Sequence, residues 1–320
     1  MDIFSILKMT VLIAVLLCST GCSTLFFYPS KRFLGTPDEL GFVYEPRTIV
    51  TLDRRLSGWY LPATDTYKGS VLFYHGNSSN ISGHFGFIHW LPAQGYDVYL
   101  YDYQGYGHSS GTATINNAVS DVRLMFDDAL RHTYRTHTYQ ARFIIYGHSL
   151  GGSLFASALT DLQNDLDLID AVVIDSSFSN FRLIAREKMQ LLLLTRALKH
   201  PLGLLFPDKP DPATNLAVLK ETPLLIAHAM QDKVVTSNHA EILYASASTA
   251  YKAFYGLQDQ RHNHGFINLE DRQFFLSFLS QPTNHSGYLG QHDAPYTVFQ
   301  LPKSQTQWSP GRIRRHRLQP

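Results

Sequence analysis

The chain has 320 residues, of which 44% are hydrophobic and 17% are charged, and its formal net charge at pH 7 is +1. This composition excludes a disordered or fibrous chain and favours one large globular domain with a sizeable core. The near-zero net charge argues against nucleic acid as the main partner.

The first predicted element is an N-terminal export signal. Lys8 precedes an apolar stretch from Met9 to about Cys18, which is short for a membrane span of about 20 residues. Ser19-Thr20-Gly21-Cys22 is similar to the lipobox of bacterial lipoproteins. We therefore expect a signal peptide over residues 1–21, lipidation of Cys22 and export to the bacterial cell envelope as a membrane-anchored, periplasm-facing lipoprotein. A plainly cleaved signal and an uncleaved anchor are the alternatives.

Residues 22–46 form a lead-in rich in aromatic residues and turn formers, and the main domain is predicted over 47–280. In that domain, short apolar runs alternate with helical patterns. The predicted strands are Ser57–Leu61, Ser70–Tyr74, Asp97–Tyr101, Arg142–Tyr146, Ala171–Asp175, Pro223–Ala229 and Tyr251–Tyr255. This alternation predicts an α/β fold with a mostly parallel central sheet and helices on both faces. Ligands bind beyond the carboxyl ends of the strands in such a sheet.

Two segments match the pattern G-x-S-x-G. The match around Ser149 follows a predicted strand directly and opens a helical run, which is the context of a nucleophile elbow. The match around Ser109 is separated from its strand by a loop-like segment, so we interpret Ser109 as a loop residue. The elbow predicts Ser149 as a nucleophile.

Acyl transfer also needs two donors for the oxyanion of the tetrahedral intermediate. The elbow supplies the backbone amide of Leu150. The second donor should come from the loop after the strand Ser70–Tyr74, where His75-Gly76-Asn77 forms a glycine-containing turn. We therefore expect the Asn77 amide to be the second donor to the oxyanion, together with the Leu150 amide.

A serine nucleophile needs a histidine and an acid, and after a nucleophile elbow the acid comes first along the chain and the histidine second. Asp232 follows the strand Pro223–Ala229 and is the favoured acid, with Asp175 as its rival. His262 and His264 both follow the last predicted strand and precede the helical pattern Leu269–Leu279. A metal site built on these two histidines lacks a third ligand at a recognisable spacing, so no metal is predicted.

Two further segments carry none of the predicted site residues. An apolar connection at about 178–215 is either a helix packed on the domain or a short cap-like insertion that lines an acyl-binding cleft. Residues 281–320 lack periodicity and predict a disordered tail, with a basic end that either is solvated or contacts anionic lipids.

Taken together, these motifs resemble the α/β-hydrolase superfamily and, within it, the BEM46-like group and related bacterial lipoprotein hydrolases. The resemblance rests on His75-Gly76-Asn77, on the segment from Asp102 to Gly111, on the Ser149 elbow and on Asp232. In that group the catalytic histidine often stands in a segment like His-Asn-Asp-Gly-Phe, which implies His262 rather than His264 as the base.

The resulting prediction is a serine hydrolase with a Ser149-His262-Asp232 triad. Its expected substrates are small-molecule or lipid-like carboxylic esters or thioesters with apolar acyl groups, and no cofactor is implied. The expected partner is a membrane surface, reached through the N-terminal lipid anchor. A peptidase or amidase of the same fold and a non-catalytic binding lipoprotein are the alternatives.

Overall fold

The structure is a computed structural model that describes residues 27–138, 141–191, 206, 209–258 and 260–280. The strands of this part of the chain are β1 (Tyr28–Pro29), β2 (Glu45–Val50), β3 (Arg55–Leu61), β4 (Gly69–Tyr74), β5 (Ser78–Ser79), β6 (Tyr96–Tyr101), β7 (Phe143–His148), β8 (Ala171–Asp175), β9 (Leu224–Ala229) and β10 (Lys252–Leu257). Its helices are α1 (Ile81–His84), α2 (Ile115–His137), α3 (Leu150–Ala158), α4 (Phe181–Leu191), α5 (Pro212–Asn215), α6 (Ser237–Ser246) and α7 (Leu269–Leu279).

Eight of these strands form one sheet in the order β10-β9-β8-β7-β4-β6-β3-β2. Strands β4 and β6 to β10 are mutually parallel, whereas β3 pairs antiparallel with β6, and β2 with β3. The predicted fold class, a mostly parallel α/β sheet, is therefore confirmed.

The sheet is covered on both faces because alternate side chains of each strand point to opposite sides. In β4, Leu72 and Tyr74 join a core with helices α2 and α3, while Val71 and Phe73 join a second core with α7. All six residues of β4 are buried, which explains why this strand is an almost continuous apolar run.

Every predicted strand is present, with ends within two residues of those expected, and the last helix has the predicted bounds. The sequence patterns did not indicate β2, which starts at Glu45, before the predicted domain boundary at residue 47. This edge strand buries only Ile49 and contains Pro46, so it lacks both an apolar run and a regular alternation.

The carboxyl ends of the parallel strands lie at one edge of the sheet. Asn77 follows β4, Ser149 follows β7, Asp232 follows β9 and His262 follows β10. The chain order reverses between the neighbouring strands β4 and β7, which is the switch point where α/β folds bind ligands. The topology thus brings the four predicted segments to one crevice.

Candidate active site

Ser149 occupies a strained turn between β7 and α3. Its φ is 53° and its ψ is −117°, a region that costs a non-glycine residue about 1–3 kcal/mol. The turn is held by a hydrogen bond from the Ser149 amide to the Asp175 carbonyl of the neighbouring strand, at 2.8 Å. The sheet therefore maintains a conformation that presents the hydroxyl at the edge.

The two glycines of the elbow are required by close packing. A Cβ on Gly147 would lie 2.4 Å from Gly152 Cα, and one on Gly151 would lie 2.0 Å from the Tyr74 carbonyl oxygen. Both contacts involve backbone atoms, which cannot move aside as a flexible side chain can. This is the physical reason for the glycine spacing that distinguished the motif.

We expect Gly151→Ala to destabilise the protein by about 3 kcal/mol or more, because the new methyl group overlaps backbone. Gly86→Ala is a matched control, since nothing lies within 4 Å of a Cβ at that position. Urea unfolding of both variants checks this prediction. Equal unfolding midpoints for Gly151→Ala and the wild type would contradict it.

The structure brings Ser149, His262 and Asp232 together in one hydrogen-bonded series. Ser149 Oγ lies 2.8 Å from His262 Nε2, and His262 Nδ1 lies 2.6 Å from Asp232 Oδ2. Because an ionised carboxylate only accepts, Nδ1 carries the proton, and Nε2 of the neutral ring accepts from the serine hydroxyl. This arrangement is competent for general-base activation of the hydroxyl.

Asp232 is held in its ionised form by its surroundings. Burial tends to raise its pKa, but the hydrogen bond from His262 and those from the Val234 and Val235 amides outweigh it, so the pKa lies below the ordinary value. These two amides donate to Oδ1 at 2.7 and 2.9 Å. The other oxygen, Oδ2, is thereby oriented towards the imidazole.

Ser109 and His264 do not join this series. Ser109 Oγ is buried, donates to the Asp102 carbonyl at 2.6 Å and accepts from the Ser57 amide at 2.9 Å. His264 is exposed. The interpretation of Ser109 as a loop residue agrees with these contacts.

Asp175 pairs with a different histidine from the one that faces Ser149. Its Oδ2 lies 3.1 Å from His148 Nδ1 and accepts from the Tyr146 hydroxyl at 3.2 Å. The ring centroids of His148 and His262 are 5.2 Å apart. Asp175 and His148 therefore form a second buried pair beside the first, which the sequence patterns did not indicate.

The histidines around His262 are kept neutral. Burial lowers the pKa of His148, although the bond to Asp175 opposes this effect. His84, whose ring centroid is 6.4 Å from that of His148, is also buried. Among fifteen histidines in the sequence, no local signal distinguishes these two.

Acidification is expected to destabilise the protein through these buried histidines. Burial, and then the neighbouring His148, lowers the pKa of His84 to about 4, against an ordinary value of 6.5. Between these two pH values the unfolded chain binds the proton and the folded chain does not, so the free energy of unfolding falls as the pH drops. His84 alone accounts for about 3 kcal/mol of this loss. Urea unfolding across this pH range should give a shallower dependence for His84→Gln, and equal slopes would contradict the assignment.

The turn that carries one predicted oxyanion donor, Asn77, adjoins the elbow that supplies the other, Leu150. Leu150 is the first residue of α3, and the first amides of a helix have no acceptor within it. Gly76 precedes Asn77, and a Cβ at Gly76 would lie 3.6 Å from Ser149 Cβ. The turn after β4 therefore adjoins the nucleophile.

The beginning of the predicted insertion at 178–215 flanks the loop between β9 and α6, residues 230–236, which carries Asp232 and is called the acid loop below. Lys188 of α4 donates to the Val234 carbonyl, and Glu187 accepts from Thr236 at 3.4 Å. Most of the remaining insertion lies outside the described residues, as do the predicted signal peptide, Cys22 and the tail 281–320.

Two features are absent from the described part of the chain. No helix there combines the length and apolar character that crossing a membrane requires. Nor do the described side chains include a group of three or more His, Cys, Asp or Glu residues that could hold a metal ion.

Several known proteins resemble this chain. The family model described as serine aminopeptidase, S33, matches residues 65–213. The uncharacterized protein YfhR of Escherichia coli strain K12 is 26% identical over 273 residues, which cover 81% of this chain and 88% of YfhR. The lysophosphatidylserine lipase ABHD12 of Mus musculus is 27% identical over 216 residues, which cover 61% of this chain and 50% of that protein.

A solved structure shares the fold. The esterase Pf2001 of Pyrococcus furiosus superimposes with a TM-score of 0.61 at 20% sequence identity, covering 79% of this chain and 97% of that chain. The sheet order, the crevice at its switch point and these similarities define a hydrolase of the α/β class. The chain is a member of the α/β-hydrolase superfamily, as its motifs predicted.

Proposed function

We propose that this protein is a serine hydrolase that cleaves carboxylic esters or thioesters through an acyl-enzyme. The observation that carries the proposal is the hydrogen-bonded series Ser149–His262–Asp232, with Oγ to Nε2 at 2.8 Å and Nδ1 to Oδ2 at 2.6 Å. A module that only binds has no need of a serine, a histidine and a carboxylate in this order.

In the proposed mechanism, Ser149 Oγ attacks the substrate carbonyl carbon while His262 Nε2 takes the hydroxyl proton. The Leu150 and Asn77 amides donate to the oxyanion of the tetrahedral intermediate. Collapse of the intermediate breaks the bond to the leaving group, which receives the proton from His262. Water then attacks the acyl-enzyme, with His262 again acting as base, and the acid product leaves.

Two observations support an apolar, lipid-like acyl group. Helix α4 beside the Asp232 loop contributes Phe181, Ile184 and Met189 to an apolar core cluster, which also contains Phe178 and Phe206. The relative ABHD12 is named a lysophosphatidylserine lipase. Because Lys188 of α4 donates to the Val234 carbonyl, this apolar helix adjoins the acid loop that carries Asp232.

We further propose that the protein acts on the membrane surface of the bacterial cell envelope, exported and held there by lipidation of Cys22. The support is the sequence of residues 8–22. Radiolabelled palmitate should be incorporated into the wild type and not into Cys22→Ala. Equal incorporation into both would exclude this anchor.

A peptidase or amidase is the second candidate, because the family model over residues 65–213 is described as a serine aminopeptidase. The triad itself does not discriminate between these substrates, since esters, thioesters and amides are attacked by the same groups.

The test is a substrate panel with one acyl series in three linkages. Esters, thioesters and anilides with acyl chains of increasing length would be compared with aminoacyl anilides, using Ser149→Ala as the background control. We expect kcat/KM to rise with chain length for esters and thioesters. Turnover confined to aminoacyl anilides would favour the peptidase, and no turnover of any substrate would favour a binding protein.

A further inference from the structure

The lead-in and the segment after β6 meet at the turn His75-Gly76-Asn77, which carries the proposed oxyanion donor Asn77 and is called the oxyanion loop below. Strand β1 of the lead-in pairs in parallel with β5, which directly follows Asn77, with Tyr28 opposite Ser78. The segment after β6 contains the second G-x-S-x-G pattern, and its Gly107 amide donates to the Ser30 carbonyl at 3.0 Å. The oxyanion loop is therefore held between two segments that carry none of the triad residues.

Asn77 is fixed from both sides by these segments. The Tyr28 amide donates to Asn77 Oδ1 at 2.9 Å. The Tyr106 hydroxyl lies 2.6 Å from the Asn77 carbonyl oxygen and 3.0 Å from Oδ1. These contacts involve the carbonyl and side-chain oxygens of Asn77 and leave its amide out.

Tyr106 is itself rigidly placed. Its side chain is fully buried, and its ring makes edge contacts with Phe27 at 6.4 Å and with His75 at 5.1 Å between centroids. Burial raises the pKa of its hydroxyl well above the ordinary value. The hydroxyl therefore keeps its proton and remains a donor at any pH at which the enzyme would work.

We infer that Tyr106, together with the backbone of Tyr28, is a positioning residue that aims the Asn77 amide at the oxyanion. This inference rests on the proposed function. Bonds to the carbonyl and side chain of Asn77 restrict its φ and ψ, and so fix the direction of its N–H. An oxyanion donor is effective only when it lies about 2.7–3.1 Å from the position of the developing charge. A small misplacement therefore weakens catalysis without changing any group that touches the substrate.

The test is Tyr106→Phe, which removes only the hydroxyl, with Tyr74→Phe as the matched control. Tyr74 is also fully buried, and its hydroxyl donates to a backbone carbonyl outside the oxyanion loop, that of Val122 in α2, at 3.0 Å. Loss of an oxyanion donor costs about 100- to 1000-fold in kcat, so loosening one should cost about tenfold. We expect this loss in kcat with KM nearly unchanged. A trifluoromethyl ketone, which forms an oxyanion on Ser149, should bind about tenfold more weakly.

A double-mutant cycle separates positioning from general stabilisation. Asn77→Ala removes the side-chain acceptor and keeps the backbone amide, so we expect it to lower kcat as Tyr106→Phe does. The double variant should lose less than the product of the two single losses, because both changes loosen the same amide. Single losses that multiply in the double variant, or a loss in Tyr74→Phe equal to that in Tyr106→Phe, would overturn the inference.

The outcomes also distinguish this inference from the proposed function. If Tyr106→Phe matches the wild type in kcat and in ketone affinity while Ser149→Ala is inactive, the positioning role is wrong and the hydrolase proposal stands. If the wild-type protein neither turns over esters nor binds the ketone, the proposed function itself fails.

Discussion

Replacing Ser149 with alanine is expected to lower kcat by about four to six orders of magnitude, because the triad acts as a unit and only binding and the oxyanion donors remain. A fluorophosphonate probe bonds to an activated serine oxygen, so labelling of the wild type should disappear in this variant. Mass spectrometry of the labelled peptide identifies the modified residue.

Ser109→Ala is the matched control because Ser109 lies in the other G-x-S-x-G pattern. Its hydroxyl bonds to the Asp102 carbonyl at 2.6 Å and to the Ser57 amide at 2.9 Å, so its loss should cost about 1–3 kcal/mol of stability. Labelling and most of the turnover should persist. Comparable losses of turnover in both variants would refute Ser149 as the nucleophile.

Asp232→Asn is expected to lower kcat by about 10⁴-fold with the fold intact. The Val234 and Val235 amides donate to Oδ1 of Asp232, so they would hold the oxygen of the new amide and turn its NH₂ group towards His262. Nδ1 must then accept and Nε2 must carry the proton. In that tautomer the imidazole cannot take the proton of Ser149, and steady-state kinetics on an ester substrate would measure the loss.

Asp175→Asn tests the rival acid by the same chemistry. Asp175 contacts His148 at 3.1 Å, and we expect a far smaller loss of kcat than for Asp232→Asn. Thermal unfolding of both variants separates a loss of catalysis from a loss of fold. A larger kinetic effect at Asp175 than at Asp232 would reverse the assignment.

Local patterns were sufficient for much of the site. The elbow around Ser149 could be predicted because its glycines satisfy a steric requirement that is local to the turn. A Cβ would lie 2.4 Å from a backbone atom at Gly147 and 2.0 Å from one at Gly151. Asp232 followed from chain order and from its place after an apolar strand. The choice of His262 over His264 needed a family resemblance, because two histidines in one loop are equivalent by composition.

Other features depend on contacts between distant segments. Strand β2 buries a single side chain and carries a proline, so no periodicity marks it. The pairing of Asp175 with His148 arises because neighbouring strands place their last residues side by side. The bond from Tyr106 to Asn77 joins residues 29 positions apart, and nothing in either local sequence indicates it.

Sequence patterns alone predicted the parallel sheet, the crevice at its carboxyl edge and the residues that follow each strand, because strand burial and tight turns depend on neighbouring residues. Contacts between distant segments settle the rivalry between Asp232 and Asp175 as the partner of His262, and they determine what holds Asn77 in place. Those outcomes depend on the order and register of strands, which are set by packing across the whole domain and not by any one segment.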